Sequence, residues 1–193
     1  MTTPAEAPTT SPFAEAARRV AAGDDHHEQA ADPAPLRLVV MGVSGAGKST
    51  IASALARRLD ASLLDADSLH PPGNVSKMAA GVPLTDDDRL PWLERVRREL
   101  SSHERLVVAC STLKRSYRNV IRAADDVRFA FLDLDPSTAR RRSEQRHGHF
   151  MPADLVASQF ETLERPGPDE ADVITIDAHA EVDTIVERVI SQL

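Results

Sequence analysis

Residues 42–49 read Gly42-Val43-Ser44-Gly45-Ala46-Gly47-Lys48-Ser49, with Thr50 next. The pattern G-x-x-x-x-G-K-[ST] belongs to a loop that cradles phosphates. Its glycines let backbone N–H groups turn inward and come close to phosphate oxygens. Lys48 places a point charge at the β- and γ-phosphates, and Ser49 offers its hydroxyl to Mg²⁺. Gly42 to Thr50 therefore read as the binding loop for a nucleoside triphosphate, and Lys48 as a catalytic residue. The context agrees. Leu36-Arg37-Leu38-Val39-Val40-Met41 is an apolar run suited to a buried parallel strand. Behind the loop, Ile51, Leu55 and Leu59 recur at four-residue spacing, as on one helix face. The loop then sits at a helix N-terminus, whose dipole favours anions.

Leu63-Leu64-Asp65-Ala66-Asp67 is a second apolar run, and it ends in two acids. Alternation along an extended chain points both carboxylates the same way. Phosphoryl transfer needs an acid near Mg²⁺ or its waters, and one that orients the attacking hydroxyl. Asp65 is the candidate for the metal and Asp67 for the hydroxyl. The alternative is a pair of solvated acids at a strand end.

These residues need a scaffold, and the pattern after Leu36 supplies one. Strand-like runs at 36–41, 62–66, 105–110, 127–133 and 172–177 alternate with helical stretches at 48–59, 88–102, 113–123, 136–146, 153–163 and 180–191. Such alternation predicts a parallel sheet covered on both faces. Ligands gather at the carboxyl ends of strands in such sheets, where the loop, Asp65, Asp67, Ser111 and Lys114 all fall. Asp135-Pro136 reads as an N-cap followed by a first-turn proline. Pro91 is expected within a first turn, which puts that N-cap near Asp87 or Asp88.

The chain has 193 residues, a net charge of −7 and a pI near 5.5. One domain is expected, and a nucleic-acid partner is disfavoured. No apolar run is long enough for a membrane span, and no signal peptide is recognisable. Cys110 is the single cysteine, so no intrachain disulfide can form. A cytoplasmic protein is expected. Residues 1–35 carry six acidic residues against two arginines and few large apolar side chains. They are expected to be a disordered tail, with the domain spanning 36–193. Asp24-Asp25-His26-His27-Glu28 reads as solvated tail in preference to a loose metal site.

The stretch Asp65-Ala66-Asp67-Ser68-Leu69-His70-Pro71-Pro72-Gly73-Asn74-Val75-Ser76-Lys77, continuing through Leu84-Thr85-Asp86-Asp87-Asp88-Arg89-Leu90-Pro91-Trp92-Leu93, closely resembles the gluconokinase family. The resemblance extends through Cys110-Ser111-Thr112-Leu113-Lys114-Arg115-Ser116-Tyr117-Arg118, Arg146-His147-Gly148-His149-Phe150-Met151 and Ser158-Gln159-Phe160-Glu161. It implies an α/β, P-loop, nucleoside-monophosphate-kinase-like fold: a five-stranded parallel sheet flanked by helices, with a mobile lid. It implies transfer of the ATP γ-phosphate to D-gluconate, giving 6-phospho-D-gluconate, with Mg²⁺ as cofactor and a homodimer as the assembly. The family commonly has glycine where this chain has Ala66, and often aspartate where it has Asn119.

A carboxylate on a polyhydroxy chain calls for cations and hydrogen-bonding groups. Asp67, His70, Lys77, Arg89, Lys114 and Arg118 are the candidates on the segments after the second and third strands. Each has a plainer alternative. Arg89 can be a surface arginine beside Asp86. Lys114 and Arg118, four apart, can share a solvated helix face. His70 can cap a turn before Pro71-Pro72. Trp92 reads as core rather than a sugar platform. Arg140-Arg141-Arg142-Ser143-Glu144-Gln145-Arg146 falls where related kinases carry a lid, with Gly148 as hinge and His149 and Phe150 at its end. Arg142 and Arg146 share a face and are the candidates to close over the phosphates as catalytic residues. Rival readings are a shikimate or adenylylsulfate kinase, which the central block disfavours, and a GTPase switch, for which no Asn-Lys-x-Asp stretch occurs.

Overall fold

The computed structural model describes residues 34–145 and 153–193. The expected tail, apart from Ala34 and Pro35, lies outside the described residues. So do Arg146, Gly148, His149 and Phe150 of the expected lid.

Five strands form one parallel sheet: β1 (Leu36–Met41), β2 (Ser62–Asp65), β3 (Arg105–Ala109), β4 (Val127–Asp133) and β5 (Val173–Asp177). Their spatial order is β2-β3-β1-β4-β5, with every pair parallel. All five expected strands form, each within a residue of its expected limits. The connecting helices are α1 (Lys48–Arg58), α2 (Pro72–Ala79), α3 (Asp86–Ser102), α4 (Arg115–Arg122), α5 (Pro136–Glu144), α6 (Ala153–Thr162) and α7 (Val182–Ile190). A 3-10 turn covers Ala66–Leu69.

The alternation of side chains along β1 divides the core. Leu38 and Val40 face a layer containing Ile51 and Leu55 of α1, Ala139 of α5, and Ile185 and Val189 of α7. Val39 and Met41 face Trp92, Leu93, Val96 and Leu100 of α3, and Tyr117 and Ile121 of α4. β1 has β3 on one side and β4 on the other. The crossovers diverge there and open a crevice at the carboxyl edge, where the phosphate loop follows β1.

Two local expectations change. The N-cap of α3 is Thr85, not Asp87 or Asp88. Thr85 Oγ1 accepts from the Asp88 N–H at 3.2 Å, and the Asp88 carboxylate accepts from the Thr85 N–H at 2.9 Å. This reciprocal box outweighs Pro91, which lies in the second turn on the exposed face. Water can there satisfy the carbonyl that Pro91 leaves without an N–H. In addition, α2 and the 3-10 turn fill a stretch with no periodic apolar signal; Val75 and Met78 of α2 are exposed.

Candidate active site

The phosphate loop joins β1 to α1 through backbone conformations that glycine adopts freely. Gly45 has φ +82°, and a Cβ there would lie 2.5 Å from the Ala139 carbonyl oxygen of α5. Gly47 has φ +93° and is the N-cap of α1. The loop thus presents the N-terminus of α1 with no side chain capping it. Lys48 Nζ donates to the Val43 carbonyl at 3.0 Å, folding over the loop. The Ser44 N–H donates to Gln159 Oε1 of α6 at 2.6 Å.

Ser49 Oγ donates to Asp65 Oδ2 at 3.3 Å, bringing together the two residues expected to hold a metal. A hydroxyl and a carboxylate suit Mg²⁺, which takes few protein oxygens and completes its shell with phosphates and water. Asp65 and Asp67 are not related by strand alternation, however. β2 stops at Asp65, whose Oδ1 accepts from the Asp67 N–H at 3.1 Å and starts the 3-10 turn. Asp67 is therefore placed by a helical turn. Its charge, like that of Lys48, acts on the Cys110 thiol just past β3. That thiol is buried, which pushes its pKa up to about 12 and leaves it unreactive.

His70 follows the turn and stacks on Trp92, with ring centroids 4.3 Å apart. Its ring Nδ1 lies 3.3 Å from the Asn74 amide, which also donates to the Asp88 carbonyl at 2.8 Å. Burial lowers the His70 pKa below 6.5, with Asp67 opposing and Arg89 reinforcing the shift. His70 thus lies within electrostatic reach of both Asp67 and Arg89. Trp92 is core, as expected, and its Nε1 donates to the Ala66 carbonyl at 2.7 Å.

The expected substrate cations meet the acids that begin α3. Lys77 Nζ contacts both oxygens of Asp88, at 2.6 and 2.8 Å. That contact, with the Thr85 bonds, lowers the Asp88 pKa to about 2. Lys114 Nζ contacts both oxygens of Asp86 at 2.8 Å. Arg89 uses Nη1 for the Leu84 carbonyl at 2.6 Å and the Tyr117 hydroxyl at 3.3 Å. Its Nε and Nη2 make no hydrogen bond among the described residues, leaving a guanidinium edge that fits a carboxylate.

Two expected residues are placed differently. Arg118 does not share a solvated face with Lys114: Arg118 is buried, whereas Lys114, the N-cap of α4, reaches Asp86. The Arg118 side chain is 1% exposed and paired with Glu170 through two bonds of 2.7 Å. It also donates to the carbonyls of Leu113 and Glu164, at 3.3 and 3.1 Å. Arg118 thereby holds the segment that carries Lys114 and includes Thr112, at φ +39°. Arg142 Nη1 donates to the Ala178 carbonyl at 3.0 Å, so it reaches toward the loop after β5.

Asp86, Tyr117 and Gln159 were not singled out by residue type. Tyr117 and Gln159 fall within stretches that resemble the family, which was the available signal. Asp86 falls within such a stretch as well.

A family model described as an AAA domain matches residues 38–166. The gluconokinase of Gluconobacter oxydans is 46% identical over 170 residues, covering 85% of this chain and 94% of that protein. The thermosensitive gluconokinase of Escherichia coli is 44% identical over 155 residues, covering 78% of this chain and 83% of its own. The chain belongs to the gluconokinase family. The crystal structure of a gluconokinase from Sinorhizobium meliloti agrees, with a TM-score of 0.76 and 42% identity over 82% of this chain and 91% of that one. The APS kinase of Mycobacterium tuberculosis shares the fold: TM-score 0.59 at 20% identity, covering 83% of this chain and 98% of that one. These neighbours bear out the expected P-loop kinase fold.

Proposed function

We propose that the protein transfers the γ-phosphoryl group of ATP to the 6-hydroxyl of D-gluconate, giving 6-phospho-D-gluconate and ADP. The observation that carries this reading is the phosphate loop after β1 brought against Asp65 at the end of β2, with Ser49 Oγ 3.3 Å from Asp65 Oδ2 and Asp67 in the turn that follows. The loop suits a triphosphate, and the Arg89 guanidinium, bonded through Nη1 alone, suits a carboxylate.

In this mechanism the N–H groups of Gly45 to Ser49 and the Lys48 ammonium hold the β- and γ-phosphates. Ser49 and Asp65 would hold Mg²⁺, which would neutralise phosphate charge. Asp67 orients the 6-hydroxyl and accepts its proton. Lys77, Arg89, Lys114 and His70 bind the sugar acid, and Arg118 supports them from behind through Leu113. Arg142 exchanges the Ala178 carbonyl for phosphate oxygens, and Arg146 is the second arginine read as binding them. Positioning and charge stabilisation supply most of the rate, since the phosphoryl transition state is loose.

The same reading takes the enzyme as a cytoplasmic homodimer whose kinase domain begins near Leu36. It is supported by the family resemblance, and among the described residues no helix is long and apolar enough to cross a membrane. The test is coupled ADP release with D-gluconate, other sugar acids, shikimate and adenylylsulfate. Turnover with gluconate well above the others is expected; preference for shikimate or adenylylsulfate would overturn the reading.

A further inference from the structure

Asp86 and Tyr117 lie on different helices and converge on the two cations expected to meet the substrate. Asp86 is the first residue of α3, and Tyr117 is in the first turn of α4. The Tyr117 ring is buried, and its hydroxyl bonds two side chains of α3. It donates to Asp86 Oδ1 at 2.5 Å and accepts from Arg89 Nη1 at 3.3 Å. Asp86 in turn holds Lys114 through both oxygens and lies 3.9 Å from Arg89. The Arg89 and Lys114 charges sit 5.7 and 5.5 Å from the centroid of the same ring.

Two cations against one ring repel each other, and the Asp86 carboxylate offsets that repulsion. The cluster keeps one surplus positive charge, which matches a single carboxylate. Exposed ion pairs contribute little to stability, so holding the fold is a weak reason for this convergence. Holding two flexible side chains in one geometry does lower the ordering cost when an anion binds. The electrostatics follow the geometry. The bonds from Lys114 and then Tyr117 depress the Asp86 pKa, so the carboxylate stays ionised across the working pH range.

We infer that Asp86 and Tyr117 are positioning residues that set Arg89 and Lys114 as a clamp for the carboxylate of a monoanionic sugar acid. The inference rests on the gluconate reading above. It places no bond between either residue and the substrate. Tyr117 fixes Arg89 through Nη1 and leaves the Nε and Nη2 edge facing the ligand. Asp86 fixes Lys114 and ties it to the same hydroxyl.

Tyr117→Phe keeps the buried ring and removes only the hydroxyl, so the core is preserved. With ATP saturating, the gluconate KM of this variant is expected to rise about tenfold, the loss of one hydrogen bond to a charged group. The ATP KM and the melting temperature should stay as in the wild type. Asp86→Asn should act in the same direction. The double variant should be no worse than the product of the two single effects, because both act through one cluster. An unchanged gluconate KM in both single variants would overturn the inference. So would a lowered gluconate KM in Asp86→Asn, which would make Asp86 a competitor of the substrate. A parallel rise in the ATP KM would place the cluster at the phosphates and overturn it as well. Wild-type enzyme inactive on gluconate would instead defeat the underlying functional reading.

Discussion

The backbone N–H of Ser44 donates to the side-chain oxygen of Gln159 at 2.6 Å, joining the phosphate loop to α6 across 115 residues of sequence. Ser44 is followed by Gly45, whose conformation few other residues adopt, so an anchor beside it limits the loop's freedom. Gln159→Leu removes the acceptor and leaves that N–H without its protein partner. The ATP KM is expected to rise about five- to tenfold, as for loss of one hydrogen bond. Steady-state kinetics with each substrate varied separately should show the gluconate KM unmoved. A variant with wild-type ATP kinetics would show that the contact has no bearing on the loop.

Lys48→Ala removes the cation that folds over the loop. Its effect should fall on chemistry rather than on folding, since a charge at the phosphates stabilises the transferring group. Turnover should drop on the order of a hundredfold or more, with the melting temperature little changed. Substantial activity in the purified variant would sink the assignment of the phosphate loop.

Much of this site was legible because local rules fixed it. Residues 38–41 are apolar and buried on both faces, as a central parallel strand must be, and the glycine-lysine pattern names the loop without tertiary help. Asp135 caps α5 as its sequence suggests, accepting from the Thr138 N–H at 3.0 Å. The failures have a common cause. Arg118 reads as a substrate ligand, or as part of a solvated helix face, because its partner, Glu170, is 52 residues away. Asp65 and Asp67 read as one strand edge because an aspartate that turns the chain into a 3-10 helix has no hydrophobic signature. The Thr85 box was in the sequence as Thr85-Asp86-Asp87-Asp88, but Pro91 drew the helix start inward. Long-range charge pairing and short polar turns are the features that one-dimensional patterns do not carry.

Gly45→Ala and Gly47→Ala separate two kinds of backbone cost. Both residues have positive φ, so each variant carries conformational strain of roughly 1–3 kcal/mol. A Cβ at Gly47 meets nothing within 4 Å, whereas one at Gly45 meets the Ala139 carbonyl at 2.5 Å. Gly45→Ala must therefore displace the loop from α5 and should have the lower melting temperature. Thermal denaturation of the two variants side by side is the measurement. Equal losses would mean that α5 yields freely.

His179 links the ends of two elements and should make stability depend on pH. Its Nε2 contacts Asp135 Oδ2 at 2.7 Å and its Nδ1 contacts Asp177 Oδ1 at 2.6 Å. Both ring nitrogens can donate only in the protonated ring. Asp135 first, then Asp177, raises the His179 pKa above 6.5. The stabilisation is therefore complete below the unfolded value and disappears as pH rises through the higher folded value. The wild type should melt above His179→Gln at about pH 6 and converge with it in alkali. A gap that widened with rising pH would contradict the double bridge.

The buried Arg118–Glu170 pair gives the opposite pH dependence. Glu170 is 2% exposed at the side chain and also receives Arg122 Nη2 at 2.6 Å. The Arg118 hydrogen bonds, helped by Arg122 and opposed by burial, bring its pKa from 4.5 to about 2. Glu170→Gln would leave Arg118 buried without its anion, at a cost of about 3–5 kcal/mol. For this depressed acid the contribution is complete above the unfolded value and is lost as pH falls through the folded one. The gap in melting temperature between wild type and Glu170→Gln should therefore be full at neutral pH and shrink in acid, below 4.5 and toward 2. Arg118 also holds the Leu113 carbonyl, next to Lys114, so the gluconate KM of the variant should rise as well. Loss of stability with an unaltered gluconate KM would show that the network supports α4 but does not reach the substrate. Replacing Arg118 and Glu170 together with methionine should recover part of the stability, because no buried charge is then left unpaired. That double variant should still bind gluconate poorly, since the Leu113 carbonyl then keeps only the Glu164 N–H, at 2.9 Å, of its two donors. Recovery of both properties would show that Lys114 is positioned without Arg118.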